Sequence, residues 1–551
     1  MELVYLWVEN YKNIHHQGFN FSPRFHCEYN DKTKELTITE NDDYISDFFG
    51  EDINVTAIVG KNGSGKSNIL KSLFQNDDNS SAKEKLWYLL YNNGLSIYFI
   101  DNMGIHENKD IQKNSKYNIE ELKKKSIQPK INFSMIYFSN IFQYLPVHDD
   151  KQDRSFYNIS TSYLINRYSK KLNNSSNFKS QYNYYKSKAI EQTITMLQDT
   201  NLKLNFDLPK ELNIVTQGGY PTDEYNKMEK ILKKEEDILF KLRVKYNIIY
   251  NYIFNYLDDE EVQKLLNSGN KKTIEDFYEE IKIELPFDNE VDDFLNLLDN
   301  PNFIMTSIKI KDINDIFIEK LKSFNKVQAF SLNLLDVLTF NWKPELSSGQ
   351  EAFLFQFAQF YNILKNGNNI KRDIIILIDE GETTMHPDWQ KQYIKWYIDF
   401  FLKNFKDNNF HLIFTTHSPF LLSDIPKENI VFLNGSLKEK QTFGANIHTL
   451  LSDSFFMKNG LMGEFAKSKI NEIKEFHTKV IKEKKTDENI EFYNQNKDKF
   501  WQIQEIIGEP FLQKIVKNQL EEIELILLGR DEAIDKEIAR LQALKASIKN
   551  A

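Results

Sequence analysis

Cysteine is almost absent from these 551 residues: Cys27 stands alone, so no internal disulfide can form and no four-cysteine zinc site can be built. A lone thiol fits a reducing compartment. No apolar run approaches the roughly 20 residues that a membrane-spanning helix needs. The start, MELVYLWVENYKNIHH, has no basic region followed by a long apolar stretch, and a cytosolic protein is expected. An excess of positive charge is missing too. With a net charge of −10 and a pI near 5.7, the surface as a whole does not advertise nucleic-acid binding, although a local basic patch still could. The few histidines, His15-His16 included, show no metal-ligand spacing. Internal repeats are absent.

What remains is an ordinary globular composition, 41% hydrophobic and 27% charged, long enough for three or four units of about 150 residues each. The 42 Phe and 27 Tyr read as compositional bias and carry little functional weight. Leu3 to Val8 is an apolar run of strand length, Phe25 to Thr39 reads as a hairpin, and Val55 to Val59 as a short strand. Asn76 to Glu84 and His106 to Lys125 are polar and loop-like. Met228, Ile231, Leu232, Ile238, Leu242, Ile249 and Ile253 recur at helical spacing, predicting a long amphipathic helix within Glu224 to Leu257. A charged helix is expected within Glu260 to Glu284. Ile374 to Ile378 and Leu412 to Phe414 look like central parallel strands with a helix from about Trp389 to Leu402 between them. Past Asp453 the chain reads as helical, ending in a face of Ile534, Ile538, Leu541, Leu544 and Ile548.

Against this background one segment matches G-x-x-x-x-G-K-[ST] at every fixed position: Gly60-Lys61-Asn62-Gly63-Ser64-Gly65-Lys66-Ser67. It lies between a β-prone run and the stretch Asn68 to Phe74, which has the spacing of a helix opening at the loop. The glycines let backbone N–H groups turn inward around phosphates, Lys66 reaches the β- and γ-phosphates, and Ser67 offers a hydroxyl to Mg²⁺. Gly60, Asn62, Gly63, Ser64, Gly65, Lys66, Ser67 and Asn68 form the expected ATP-contacting set. Asp379-Glu380 ends an apolar strand, where a carboxylate is costly to leave unpaired. Asp379 suits Mg²⁺, directly or through water, and Glu380 suits orienting and polarising the attacking water. Gln143 is a further Mg²⁺ candidate, though no spacing fixes it. His417, in Thr415-Thr416-His417-Ser418-Pro419, follows the next strand, where an imidazole can sense a γ-phosphate.

Leu346-Ser347-Ser348-Gly349-Gln350-Glu351, read alone, is a serine-glycine turn capping a helix over Glu351 to Leu364. Beside the other three motifs it resembles the L-S-G-G-[QE] signature of the ABC and SMC ATPase superfamily. That resemblance implies an α/β ATPase head, a mixed sheet with flanking helices, carrying a helical insertion and a helical C-terminal region. It also implies that two heads sandwich ATP, with Ser347, Gly349 and Gln350 of one copy acting on nucleotide held by the other. Ser348 departs from the usual glycine. Gly381-Glu382-Thr383-Thr384-Met385-His386-Pro387 resembles the loop through which heads touch, with His386 where transporters have Asp. That form is similar to the SMC-like and overcoming-lysogenisation-defect branch.

The stretch Phe443-Gly444-Ala445-Asn446-Ile447-His448, with Leu451 to Phe456 and Gly460 to Phe465, resembles the ATPases of Septu anti-phage systems, also found in certain retron defence systems. The resemblance implies a regulatory ATPase whose partner is a separate HNH endonuclease subunit. No strand ending in Glu-Gly with a later Asp-x-Asp follows His448, as a fused nuclease of the TOPRIM type needs. The expected organisation is residues 1–75 and 336–452 as the two parts of the head, 76–335 as a partly helical insertion, and 453–551 as a helical partner-binding region. The alternative is a repair or chromosome-maintenance ATPase that binds DNA directly. From Arg154 to Ile190 no acidic residue occurs, and Arg167, Lys170, Lys171, Lys179, Lys186 and Lys188 alternate with Tyr168, Tyr182, Tyr184 and Tyr185. Such a patch suits DNA or a retron nucleic acid, or is a solvated face or a dock for an acidic partner.

Overall fold

The computed structural model describes residues 1–33, 35–74, 85–91, 95–101, 104–106, 112–114, 119–121, 133–140, 156–171, 178–216, 241–242, 244–249, 273–282, 289–298, 305–330, 338–433, 441–453 and 462–529, with single residues between 258 and 264. The chain divides into Met1–Phe455 and Phe456–Ala551.

Six strands form the central sheet of the first unit, in the order Phe156–Asn158, Phe133–Ser139, Asp373–Asp379, Asn409–Thr415, Ile53–Gly60, Ile430–Leu433, and every neighbouring pair is parallel. A parallel sheet is covered on both faces, and the side-chain period of two divides its residues accordingly. Ile374, Ile376 and Ile378 join Val55, Ala57, Leu412 and Phe414 on one side. Ile375, Leu377, Ile58 and Ile413 join the N-terminal strands on the other.

The first side is filled by aromatic rings. Helix Ser348–Asn366 buries Phe353, Phe357 and Phe360 against Tyr393, Trp396, Tyr397 and Phe400 of helix Tyr393–Asn404. Phe357 and Phe400 approach to 4.7 Å between ring centroids and Phe353 and Trp396 to 5.3 Å. The Phe and Tyr excess thus supplies the layer that positions the helix after Ser347.

On the opposite side, Glu2–Tyr11 pairs antiparallel with Ile14–Asn20 and Lys85–Tyr91, and Lys85–Tyr91 pairs with Leu95–Asp101. The expected hairpin is present as Phe25–Asn30 and Glu35–Glu40. Two features differ from the sequence reading. Gly104–His106, Gln112–Asn114 and Ile119–Glu121 are short strands, where polarity had suggested loops; each adds to an edge of an existing sheet, where polar residues are tolerated. Phe133–Ser139 is an internal strand of the head's sheet, between Phe156–Asn158 and Asp373–Asp379, although it lies inside 76–335. That stretch also contains two of three antiparallel strands, Glu211–Thr216 and Met305–Lys309, with Leu338–Lys343 as the third. They share a core with helices Ile274–Lys282, Glu290–Asn296 and Asp315–Phe330. Of the long helix expected over Glu224 to Leu257, residues 241–242 and 244–249 are described and helical; the rest lies outside the described residues. The second unit has its own core where helices Glu464–Glu483, Asp487–Glu505 and Pro510–Leu527 meet around Ile473, Tyr493, Phe500 and Leu520. The face expected from Ile534 to Ile548 is outside the described residues.

One buried histidine ties the sheet to the N-terminal strands. Leu3 N–H donates to His411 Nδ1 at 2.9 Å. A neutral ring therefore carries its proton on Nε2, which faces the Thr56 hydroxyl at 2.9 Å, and that hydroxyl donates to Phe21 O at 2.7 Å. Burial pushes the His411 imidazolium down to about 3. Its folded pKa is depressed, so its contribution to stability is complete above the unfolded value of about 6.5 and is lost as pH falls below it. Melting temperatures taken from pH ~7 down to ~5 are expected to fall, and to fall less for His411→Gln, which stays neutral throughout.

Candidate ATP site

In open parallel sheets ligands bind outside the carboxyl ends of the strands. Here three adjacent strands end at Gly60, Asp379 and Thr415, and the candidate motifs meet there. The chain leaves Gly60 through a loop in which Gly63 has φ of 77° and Gly65 has φ of 102°, conformations that favour glycine. Helix Lys66–Phe74 follows. Lys66 Nζ donates to Gly60 O at 3.0 Å and Lys61 O at 3.2 Å, which folds the ammonium across the loop. Burial lowers its pKa, an effect opposed by Glu380, Asp379 and Glu382. Ser64 Oγ is buried without a partner. An orphaned hydroxyl inside a loop of this shape fits a phosphate oxygen.

Asp379 is fully buried and its carboxylate accepts three hydroxyls. Ser67 donates to Oδ1 at 2.9 Å, Thr415 to Oδ1 at 2.5 Å and Tyr137 to Oδ2 at 3.1 Å. The Ser67–Asp379 contact joins residues more than three hundred positions apart, the pair assigned to Mg²⁺ from sequence. A hydroxyl and a carboxylate form the hard oxygen set that this ion takes, so the site fits it.

Glu380 adopts φ of 49°, a left-handed conformation uncommon for a residue with a side chain. Its N–H is held by Thr415 O at 3.2 Å and Thr415 Oγ1 at 3.0 Å. Burial, then the neighbouring Asp379, raises the Glu380 carboxyl pKa, making it a better proton acceptor than an exposed carboxylate. His417 Nε2 lies 3.5 Å from Glu380 Oε1. Burial, then Lys66, lowers the imidazole pKa, favouring the neutral ring.

Ser347 caps helix Ser348–Asn366. Its hydroxyl accepts from Gln350 N–H at 3.3 Å while Gln350 Oε1 accepts from Ser347 N–H at 2.8 Å, a capping box that fixes the helix start. Ser347 and Ser348 are exposed. A Cβ placed on Gly349 would lie 3.3 Å from Thr384 O, so the signature turn lies against the loop that resembles the head-contacting loop. Asn68 Nδ2 donates to Asn13 Oδ1 at 2.7 Å and Asn13 Nδ2 to Gly63 O at 3.2 Å, while Asn62 is exposed. Gln143 lies outside the described residues; Asn140, three positions earlier, donates to Gly381 O at 3.2 Å.

Several site residues escaped the sequence reading. Tyr137 and Thr415 reach Asp379 only because Phe133–Ser139 and Asn409–Thr415 flank Asp373–Asp379 in the sheet. The β-prone run FSMIYFS was the available signal for the first of them. Three residues of the basic and aromatic stretch make internal contacts, while Tyr182 is exposed and the side chains of Tyr168, Lys170, Lys171 and Lys179 lie outside the described residues. Tyr185 is buried and its hydroxyl accepts from Gln359 at 2.7 Å, Lys186 pairs with Glu351 at 3.3 Å and Lys188 with Glu191 at 2.8 Å. Arg154 lies outside the described residues.

Sheet, loop and acid turn together are those of an ATPase. A family model for the AAA ATPase domain matches residues 1–422, and the chain belongs to that family. Among solved structures, the recombination mediator protein RecF of the RecFOR pathway aligns as RecF-ATPrS with a TM-score of 0.22 and 14% identity over 79% of this chain and 98% of that one. The corresponding RecF-ATP structure aligns with a TM-score of 0.24 and 12% identity over 76% and 94%. A search of curated proteins gave no match. Among the described residues no helix is long and apolar enough to cross a membrane, and no group of three or more His, Cys, Asp or Glu is placed to hold a metal ion.

Proposed function

We propose that the chain is the nucleotide-controlled regulatory subunit of a cytosolic anti-phage complex of the Septu type, pairing with a second copy around ATP and controlling a separate HNH endonuclease. Within one copy, Lys66 and the backbone of Gly60 to Ser67 would hold the phosphates, and Ser67 with Asp379 would hold Mg²⁺, whose charge would offset that of the phosphate oxygens. Glu380 accepts the proton of the attacking water, and His417 stands beside it facing the γ-phosphate. Ser347, Gly349 and Gln350 complete the site of the other copy. The observation that carries this reading is the division of the motifs: the acid half is joined to the phosphate loop through Ser67–Asp379, whereas Ser347 and Ser348 stand in solvent. The anti-phage assignment draws its support from Phe443 to His448 and the segments that follow.

A bulky cation at the signature tests the pairing. Ser347→Arg is expected to bind ATP in its own loop with little change, yet to lose about 100-fold in turnover by misplacing groups around the γ-phosphate, measured by titration and steady-state hydrolysis. The wider assignment is tested by co-purification with an HNH subunit and nucleotide-dependent DNA cleavage. A cleaving complex indifferent to Lys66→Ala contradicts nucleotide control. ATP-dependent DNA binding by the isolated chain supports direct action on DNA instead, a reading weakened by the internal contacts of Tyr185, Lys186 and Lys188.

A further inference from the structure

Two side chains outside the recognised motifs tie the acid turn to the segment bearing His417. Glu382 is 2% exposed. Its carboxylate accepts the Thr416 hydroxyl in a close hydrogen bond. Thr416 Oγ1 in turn accepts Ser418 N–H at 2.9 Å. Gln390, in the short helix Pro387–Gln390, makes the second link. Its Oε1 accepts the Ser418 hydroxyl at 2.7 Å, and its Nε2 donates to Met385 O at 3.0 Å and Glu382 O at 3.4 Å. The backbone of 380–390 and that of 416–418 are therefore held together at two points.

The same loop has a packed floor and an open top. Gly381 is buried over Tyr393 and Gln356, and a Cβ there would collide with the Tyr393 hydroxyl and lie 2.9 Å from Gln356 Nε2. Gln356, on the helix that begins at the signature, donates to Tyr393 Oη at 3.1 Å. Thr383, Thr384, His386 and Pro387 are exposed. A push on the exposed side cannot be absorbed by sinking into that floor, because close-packed interiors transmit displacement. The two links pass it to Thr416, His417 and Ser418.

We propose that Glu382 and Gln390 are positioning residues that form a clamp, through which contact of a second copy with Thr383 to Pro387 aligns His417 with Glu380 and so permits hydrolysis. The inference rests on the paired-head reading above. A carboxyl is a costly choice for a filler here: Glu382 Oε2 has no partner, and burial pushes the group up to about 7. What Glu382 supplies is an acceptor for the Thr416 hydroxyl, beside His417 on the switch segment.

The test is steady-state ATPase kinetics with parallel sedimentation in ATP, for wild type, Glu382→Ala, Glu382→Gln and Gln390→Ala. Glu382→Ala is expected to lower kcat on the order of 100-fold, the effect of misplacing a catalytic group by about an ångström, with KM for ATP and ATP-dependent pairing near wild type. Glu382→Gln keeps an acceptor in place and is expected to recover kcat to within about fivefold, while Gln390→Ala loses about tenfold, the worth of about 1.4 kcal/mol. A normal kcat in Glu382→Ala, or a Glu382→Gln enzyme as slow as the alanine variant, overturns the clamp. Should Glu382→Ala not fold, Gln390→Ala with wild-type melting and unreduced kcat overturns it equally. Failure of pairing itself shows separately, as a wild type that stays monomeric in ATP.

Discussion

Glu380→Gln is expected to bind ATP normally and hydrolyse it about 1,000-fold more slowly, within the range for loss of a general base. The amide keeps the shape of the side chain but cannot accept the water's proton. The strained backbone is held by Thr415, whose carbonyl and hydroxyl both accept Glu380 N–H, and the amide variant retains both contacts. Removing the charge also relieves repulsion from Asp379, which contributes to the raised Glu380 pKa. Slow hydrolysis with intact binding should hold the protein in its paired, ATP-bound state. Mass measurement in ATP and Mg²⁺ is expected to give twice the monomer mass, and rapid exchange or unchanged turnover contradicts the assignment.

Lys66→Ala is expected to have the opposite signature, loss of ATP binding itself. The lysine is buried and its ammonium spans Gly60 O and Lys61 O, so truncation removes the cation facing the β- and γ-phosphates and leaves two carbonyls without that donor. The loss in affinity is expected to be at least 100-fold, about 2.7 kcal/mol, as for a desolvated charge-assisted contact. Isothermal titration measures it directly. Affinity within a few-fold of wild type would place the phosphates elsewhere.

The sequence made the site more legible than the fold around it. Lys66, Ser67, Asp379 and Glu380 were readable because phosphate chemistry demands particular residue types at fixed short spacings. In the folded chain Ser67 donates to Asp379 across more than three hundred positions of sequence. Tyr137 and Glu382 were opaque for different reasons. Tyr137 reaches Asp379 through strand order, a long-range property that local periodicity does not encode. Glu382 sits in a polar loop whose sequence suggests exposure, yet it is buried with the Thr416 hydroxyl on its carboxylate. The strands at 104–121 escaped because edge strands need little apolar character, whereas Ile374 to Ile378, buried on both faces, announced itself.

The central claim is that each nucleotide site is built from two copies, and a mixing experiment tests it most directly. Lys66→Ala copies retain a signature but no working phosphate loop, and Ser347→Arg copies retain the loop but no working signature. Each alone should be nearly inactive. Mixed in equal amounts, random pairing makes half of the dimers mixed, each with one intact site of two, so activity should recover to about a quarter of wild type. Recovery of that order is the predicted result. A mixture no more active than the sum of its parts, with both variants folded and Ser347→Arg binding ATP, would contradict the account.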